Sequence, residues 1–303
     1  MNFSITVLGS SSATPTKQRN QTAQILNINQ NLYLIDCGEG TQIKIRQLGF
    51  NFSKIDNIFI SHLHGDHYLG LPGLLFTMHL LGRTKPINLY GPSELEKILN
   101  VIFKASACNL LYEIKFHPLQ PSNFNTIINT EKIIVKSFPL LHTLPTWGFL
   151  FKETDKPRKI KKDFLLQQNV SIEEIRQIKQ GADFKDEKGN IYPNNEITIE
   201  PPKPRSYAYC SDTGYYEVLT SYIYGVDLLY HEATFMENLK QAAKEKLHST
   251  ATEAAQIAKL ANVKCLIIGH FSARYKNLNP LLEEAKKIFA NTIIAEDNKT
   301  YYL

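Results

Sequence analysis

The segment His62-Leu63-His64-Gly65-Asp66-His67 constrains this chain more than any other part of its sequence. It places three imidazoles and a carboxylate in six residues, which is more metal-ligand chemistry than a structural loop uses, and both group types suit zinc. His62 and His64 flank one residue, so their side chains share a direction in an extended backbone. Asp66 and His67 follow Gly65, where the chain can turn and begin a helix. One loop can therefore offer two ligands to one ion and two to its neighbour.

Further polar residues follow apolar, strand-like runs elsewhere in the chain. In α/β proteins the strand ends along one edge of a sheet are where sites are built. A single histidine in such a position is more often a core or capping residue, but several of them together with the ligand-rich loop predict one composite site. The residues are His142, Asp212, His231 and His270, at or soon after the ends of the runs 133–138, 207–211, 227–230 and 265–269.

Strand patterns alternate with helical patterns along most of the 303 residues, of which 43% are hydrophobic and 21% charged. Both halves of the chain show this alternation. Strands with covering helices in two halves predict an α/β sandwich. The predicted strands are 3–8, 23–28, 32–35, 58–61, 207–210, 227–230 and 265–268, and the predicted helices are 40–48, 69–81, 215–222, 235–245 and 252–260.

Residues 152–204 do not show this alternation of strand and helix patterns. The run from Lys156 to Lys162 holds five positive charges in seven residues, and a polar helical pattern over 171–180 follows it. Two interpretations remain open from the residues alone, an inserted arm that stands off the body and a solvated surface excursion.

Composition limits the class of protein. No apolar run reaches the roughly 18 residues of a membrane helix, and the N-terminus lacks the features of a secretory signal, so we expect a soluble cytoplasmic protein with no membrane association. The four cysteines are far apart and predict buried free thiols, without a disulfide framework or a cysteine zinc site. A formal net charge of +5 permits a polyanionic partner without proving one.

The histidine-rich segment is the H-x-H-x-D-H loop of the metallo-β-lactamase superfamily. Over nearly the whole chain, five further segments resemble the ribonuclease Z family, the tRNA 3′-processing endonucleases, and they come in the family's order. These segments are Pro15-Thr16-Lys17-Gln18-Arg19-Asn20, Asp36-Cys37-Gly38-Glu39-Gly40-Thr41-Gln42, His231-Glu232-Ala233-Thr234-Phe235, His248-Ser249-Thr250 and Gly269-His270-Phe271-Ser272-Ala273-Arg274-Tyr275.

The resemblance implies a metallo-β-lactamase αββα sandwich with an inserted arm, or exosite. Residues 1–151 and 205–303 would form the two halves of one domain, and residues 152–204 would form the arm that binds substrate. It also implies two Zn²⁺ per subunit, with Asp36 orienting the ligand loop. His62, His64 and His142 would hold one zinc, Asp66, His67 and His270 the other, and Asp212 would bridge them.

The activity that the resemblance implies is zinc-dependent removal of the 3′ trailer from precursor tRNA. Hydroxide would attack the phosphodiester and leave a tRNA 3′-hydroxyl and a 5′-phosphate trailer. Asp66 would orient the attacking water and accept its proton, and His248, oriented by Glu232, would protonate the leaving oxygen. His231 is expected to stay outside the ligand set. The family acts as a homodimer in which one subunit's arm serves the other's active site.

Two other functions compete with this one. The first is a metallo-hydrolase of the same fold that acts on a small phosphodiester, a sulfate ester or a lactone. The second is a catalytically silent RNA-binding subunit that keeps the fold. Metal content separates the silent subunit from both enzymes, and RNA cleavage against small-ester cleavage separates the two enzymes. The arm lacks the Gly-Pro signature of the family, so its contacts with tRNA are less clearly implied than the metal ligands.

Overall fold

Two β-sheets pack face to face in the computed structural model, which describes residues 2–120 and 124–303. Within those residues each of these sheets has seven strands. Ile5 and Ile35 of one sheet share a buried cluster with Phe149 and Tyr207 of the other. The main core therefore lies between the sheets, which confirms the predicted α/β sandwich.

The first sheet is built mainly from the N-terminal half. Along the strand Asn31–Ile35, Tyr33 and Ile35 point into the central cluster, whereas Leu32 and Leu34 point into a second cluster beneath the helices on the outer face. In the order β18-β1-β2-β3-β4-β5-β6, the strands are β1 (Phe3–Gly9), β2 (Ala23–Ile28), β3 (Asn31–Ile35), β4 (Ile55–Phe59), β5 (Ile87–Gly91), β6 (Ile114–Pro118) and β18 (Thr300–Tyr302). The helices of this half are α1 (Thr41–Gln47), α2 (Gly65–Tyr68), α3 (Leu71–Leu80) and α4 (Glu94–Ala105).

The second sheet has the order β17-β16-β15-β14-β9-β8-β7. Its strands β14 to β17 are parallel, so their carboxyl ends meet at one edge. The strands are β7 (Asn125–Asn129), β8 (Ile133–Leu140), β9 (Thr146–Glu153), β14 (Ser206–Cys210), β15 (Leu228–Glu232), β16 (Cys265–Gly269) and β17 (Thr292–Ile294). The helices of this half are α8 (Leu219–Ile223), α9 (Lys240–Glu245), α10 (Ala251–Leu260) and α11 (Asn279–Ile288).

The segment between β9 and β14 folds around a buried cluster of its own. Ser171 and Glu174 form a capping box at the start of its longer helix. The cluster consists of Ile160, Phe164, Ile178, Phe184 and Ile197. The elements of the segment are β10 (Lys159–Ile160), α5 (Lys162–Gln167), α6 (Ile172–Lys179), β11 (Phe184–Lys185), β12 (Ile191–Tyr192), α7 (Asn194–Ile197) and β13 (Thr198–Ile199).

Glu153 and Arg205 join the two ends of this segment. The Glu153 side chain is 1% exposed and accepts hydrogen bonds from Nε and Nη2 of Arg205 at 2.9 and 2.8 Å. Its backbone N–H donates to the Arg205 carbonyl at 2.9 Å. The hydrogen bonds from Arg205 lower the pKa of Glu153 to about 2. A bidentate ion pair therefore holds the chain together where it leaves the second sheet and returns to it.

Three predicted elements differ from the observed ones. The strand expected over 58–61 is β4, which ends at Phe59, because the backbone N–H of Ser61 donates to the Asp36 carboxylate instead of to a neighbouring strand. The helix expected over 215–222 is reduced to α8, since Tyr215 and Tyr216 pack against the central core. The helix expected over 235–245 is a 3-10 turn followed by α9.

None of the helices in the described parts of the chain is long and apolar enough to cross a membrane. All four cysteines are free, but only Cys37 and Cys210 are fully buried, whereas Cys108 and Cys265 are partly exposed.

Candidate metal centre

The histidine-rich loop connects β4 to α2, and its ligands fall on two sides of a turn. His64 has an extended backbone and stands at the N-cap of α2, while Asp66 and His67 lie in the first turn of that helix. His62 precedes the helix and is fully buried. The change from extended to helical backbone at Gly65 thus separates the first two histidines from Asp66 and His67, as the spacing predicts.

Residues 36–38 hold this loop in place through very close backbone contacts. The N–H of Cys37 donates to the carbonyl of His67 at 2.7 Å, and the N–H of Gly70 donates to the carbonyl of Cys37 at 2.9 Å. A Cβ atom on Gly38 would lie 2.7 Å from the carbonyl oxygen of Asp66, and one on Gly70 would lie 2.0 Å from the carbonyl oxygen of Gly38. Both positions therefore require glycine.

The first ligand group consists of His62, His64, His142 and Asp212. Nδ1 of His64 lies 3.1 Å from Nε2 of His62 and 3.2 Å from Nε2 of His142. Oδ2 of Asp212 lies 3.6 and 3.8 Å from the same two Nε2 atoms. Nδ1 of His142 donates to the carbonyl of Leu247 at 2.8 Å, which leaves its Nε2 lone pair directed into the group.

The second ligand group consists of Asp66, His67 and His270. Oδ2 of Asp66 lies 3.3 Å from Nε2 of each histidine. Oδ1 of Asp212 lies 3.3 Å from Nε2 of His67 and 3.1 Å from Nε2 of His270. Because its two oxygens face different groups, Asp212 lies between them as a bridging ligand would.

These separations fit metal coordination. Nitrogen and oxygen ligands lie about 2.0–2.2 Å from zinc, and in tetrahedral geometry about 3.3–3.6 Å from each other. The observed ligand–ligand separations run from 3.1 to 3.8 Å. Nε2 of His67 and Oδ1 of Asp212 are buried without a hydrogen bond of normal geometry, which is rare and costly for polar atoms unless an ion satisfies them. The residues therefore form a site for a metal cofactor.

The electrostatics of the two groups also favour cations. Burial and the neighbouring His67 hold the pKa of His62 well below its usual value, so this imidazole is neutral and has a free lone pair. Burial alone would lower the pKa of His67, but the carboxylates of Asp212, Asp66 and Asp36 outweigh it and raise that pKa well above its usual value. Positive charge is thus stabilised among these carboxylates.

His248 and Glu232 form an ion pair beside the ligand groups. Nδ1 of His248 lies 2.7 Å from Oε1 of Glu232. Burial lowers the pKa of His248, yet the Glu232 carboxylate more than offsets this and raises it to about 9. One nitrogen of His248 falls within 4.8 Å of ligand atoms of Asp212 and His270. A protonated imidazole therefore faces the site.

The ligand groups open into a cavity of about 460 Å³, which is large enough for part of a nucleotide chain. Its wall includes residues 12–14 and two basic side chains, Lys246 and Arg274. The Arg274 guanidinium stands 5.0 Å above the centre of the Phe235 ring. Lys246 belongs to none of the motifs in the sequence, and only its position two residues before His248 indicates that it lies near the site.

Three more histidines, His79, His117 and His231, lie outside both ligand groups. His231 is buried in β15, and its Nδ1 donates to the carbonyl of Glu232 at 2.7 Å. His79 is half-buried and accepts from the backbone N–H of Leu111 at 3.1 Å. His117 stacks on Tyr90 with ring centres 4.6 Å apart. Each of these contacts is one that a structural histidine makes.

Comparison with known proteins finds relatives that match nearly the whole chain. The chain is 44% identical over 295 residues to a protein named Ribonuclease Z from Parabacteroides distasonis, with 97% of each chain covered. It is 45% identical over 304 residues to a Ribonuclease Z from Cytophaga hutchinsonii, covering 100% of this chain and 97% of the other. A family model described as Anti-Pycsar protein Apyc1 matches residues 3–180.

Solved structures share the fold. The crystal structure of human tRNase Z, short form (ELAC1), superposes with a TM-score of 0.72 and 27% identity, covering 98% of both chains. The metallo-β-lactamase fold protein YhfI from Bacillus subtilis superposes with a TM-score of 0.71 at 17% identity, covering 100% of both. The αββα sandwich predicted from the resemblance is thereby confirmed.

Proposed function

This chain belongs to the ribonuclease Z family, and over residues 3–180 it also belongs to the family described as Anti-Pycsar protein Apyc1; from that premise we propose that it is an endoribonuclease that removes the 3′ trailer of precursor tRNA. The observation that carries the proposal is a single cavity whose wall includes residues of both metal-ligand groups together with His248, which is paired with the buried Glu232. The relatives named Ribonuclease Z support RNA as the substrate.

The proposed cofactor is two Zn²⁺ per subunit. His62, His64 and His142 would hold one ion, Asp66, His67 and His270 the other, and Asp212 would bridge both. The spacing of the ligand atoms supports this assignment. When bound, the ions supply Lewis acidity that makes the attacking water more acidic and offsets charge on the phosphoryl oxygens.

Asp66 is the proposed proton acceptor. Burial would raise the pKa of this carboxyl, but the neighbouring His67 imidazole and the contact with His270 hold it well below its usual value. Asp66 is therefore ionised at neutral pH. One of its oxygens faces the two histidines, and the cavity that it lines is where a water molecule can meet the scissile phosphate.

His248 is the proposed proton donor. A pKa of about 9 keeps the ring protonated at neutral pH, and the Nδ1 contact with Glu232 leaves Nε2–H free to donate. Protonation of the leaving oxygen by this group would yield a tRNA 3′-hydroxyl and a trailer with a 5′-phosphate. The Glu232 carboxylate fixes the ring and stabilises its charge.

The proposed division of the chain is a catalytic domain of residues 1–151 and 205–303 with residues 152–204 as the tRNA-binding arm. Part of the basic run already serves the arm's own structure: Arg158 donates to Thr198 at 2.7 Å, and Lys161 donates to the carbonyl of Glu196 at 2.6 Å. Lys159 and Lys162 are exposed and are the better candidates for phosphate contacts.

The family resemblance further supports a homodimer in the cytoplasm, with each arm serving the partner subunit's site. Light scattering coupled to gel filtration tests the dimer. A monomer at working concentration would rule out an arm that acts across subunits.

The decisive experiment is cleavage of a 3′-extended precursor tRNA by the purified protein, with chelation and zinc restoration, beside hydrolysis of bis(p-nitrophenyl) phosphate. We expect one metal-dependent cut next to the discriminator base that leaves a 3′-hydroxyl. Hydrolysis of the small diester without any tRNA cut would favour a small-ester hydrolase. A protein that binds no metal and cuts neither substrate would be the catalytically silent subunit.

A further inference from the structure

The Asp36 carboxylate is the centre of a buried hydrogen-bond network behind the ligand loop. Its Oδ1 accepts from the backbone N–H of Ser61 at 2.7 Å. Its Oδ2 accepts from Oγ of Ser61 at 2.8 Å, from Nδ1 of His67 at 2.8 Å and from the hydroxyl of Tyr209 at 2.7 Å. All four residues have 0% exposure, so water cannot replace any of these contacts.

The direction of each hydrogen bond follows from the chemistry of the groups. An ionised carboxylate only accepts, so the Ser61 hydroxyl, the His67 Nδ1–H and the Tyr209 hydroxyl all donate to it. Having given its one proton to Asp36, Oγ of Ser61 can only accept from Nδ1 of His62, which is 3.0 Å away. Both His62 and His67 then carry their proton on Nδ1 and present Nε2 to the ligand groups.

His62 and His67 belong to different ligand groups. A single carboxylate thus fixes the tautomer of one histidine in each group, directly for His67 and through Ser61 for His62. The Tyr209 hydroxyl is the remaining donor to the same oxygen, and it restrains the carboxylate from the side of the second sheet. The Asp36 carboxylate therefore orients one histidine ring in each of the two ligand groups.

We propose that Ser61 and Tyr209 are positioning residues that, through Asp36, set the ring orientation and tautomer of His62 and His67 and so tune metal affinity in both ligand groups. Tyr209 acts more strongly on His67, which meets Oδ2 of Asp36 directly, than on His62, which reaches that oxygen only through Ser61. Ser61 acts on both histidines. The proposal rests on the metal centre of the proposed function and does not depend on which substrate is cleaved.

Tyr207 provides a matched control for Tyr209. Both tyrosines lie in β14 with 0% exposure and point to the same side of the sheet. The Tyr207 hydroxyl donates to Oε1 of Gln24 at 2.5 Å and lies outside the Asp36 network. Replacing either tyrosine by phenylalanine removes one hydroxyl and one buried hydrogen bond, so both variants should lose a similar amount of stability. Only Tyr209→Phe removes a hydrogen bond of the Asp36 network.

The test measures zinc affinity of the full chain by competition with a chromogenic chelator, together with thermal unfolding of the metal-free proteins. For Tyr209→Phe we expect about tenfold or greater weakening of one zinc site, with the other little changed. For Ser61→Ala we expect both sites to weaken, with recovery in Ser61→Thr. Tyr207→Phe should bind zinc as the wild type does.

Equal zinc affinities in Tyr209→Phe and Tyr207→Phe would overturn the role of Tyr209, whatever their unfolding temperatures. Weakening of only one site in Ser61→Ala would overturn the shared network. A wild type that binds two zinc ions but leaves precursor tRNA uncut would refute the proposed substrate and leave this inference standing. A wild type without zinc affinity would refute the metal centre and this inference together.

Discussion

Glu232 lies fully buried at the end of β15, with its Oε1 2.7 Å from Nδ1 of His248. Oε1 also accepts from the backbone N–H of Thr213 at 2.7 Å, and Oε2 accepts from Oγ1 of Thr234 at 2.6 Å. Oγ1 of Thr234 in turn lies 2.9 Å from Nδ1 of His270. One carboxylate therefore orients the proposed proton donor and, through a hydroxyl, one proposed metal ligand.

Replacing Glu232 by glutamine should shift the pH dependence of cleavage. The carboxylate raises the pKa of His248 in the folded protein to about 9, so an amide in its place lowers that pKa. The alkaline limb of kcat/KM, where His248 loses its proton, should move to lower pH by about one unit or more. A pH–rate profile of Glu232→Gln against wild type, both saturated with zinc, measures this. A limb that stays in place would contradict proton donation by His248.

Asp66→Ala should lose nearly all cleavage while the fold survives. The variant removes the proposed proton acceptor and one ligand of the second group, and general base catalysis alone contributes about 10²–10⁴-fold. Single-turnover cleavage of precursor tRNA measures the loss, and unfolding of the metal-free protein checks the fold. Turnover near the wild-type rate would refute the proposed mechanism.

The ion pair at the root of the arm should make stability depend on pH. Glu153 has a pKa of about 2 in the folded protein and about 4.3 when unfolded. The stabilisation that ionised Glu153 gives the folded state is therefore complete above about pH 4.3, and it is lost as the pH falls toward the pKa of the folded protein. Glu153→Gln should lower the free energy of unfolding by about 1.5–3 kcal/mol at pH 7 and by less at pH 3. Urea unfolding at both pH values measures this, with Glu187→Gln, at an exposed arm position, as the control. Equal losses at both pH values would argue against the ionised pair.

Removing the arm should impair tRNA binding without impairing the chemistry. Because β10 pairs with β13, the deletion must take both strands, so residues 155–203 should be replaced by a short Gly/Ser linker between Thr154 and Pro204. We expect KM for precursor tRNA to rise about tenfold or more, since phosphate contacts dominate RNA affinity. Hydrolysis of bis(p-nitrophenyl) phosphate should continue near the wild-type rate. Equal loss on both substrates would count against an arm devoted to RNA.

The ligand loop was predictable because its spacing is local. The change of backbone at Gly65 and the strand-end positions of Asp212 and His270 are both visible in the sequence. The hydrogen-bond network around Asp36 could not be predicted from the sequence. Tyr209 stands in an apolar run that is typical of any core strand, and its hydroxyl meets Asp36 only after the two sheets pack. The arm's core was hidden for a similar reason, since its five members are spread from Ile160 to Ile197 with no strand or helix period.

Lys246 allows a test of substrate contacts inside the cavity. Its side chain lines the wall beside the ligand groups, where an ammonium can neutralise one RNA phosphate. Lys246→Ala should raise KM for precursor tRNA a few-fold with kcat nearly unchanged, and should reduce the slope of log affinity against log salt by about one. Lys244, exposed on the preceding helix and outside the cavity wall, gives the matched control Lys244→Ala. If both variants show the same small change in KM and in salt dependence, Lys246 acts only through the net charge of the surface. The proposed contact between Lys246 and an RNA phosphate in the cavity would then be wrong.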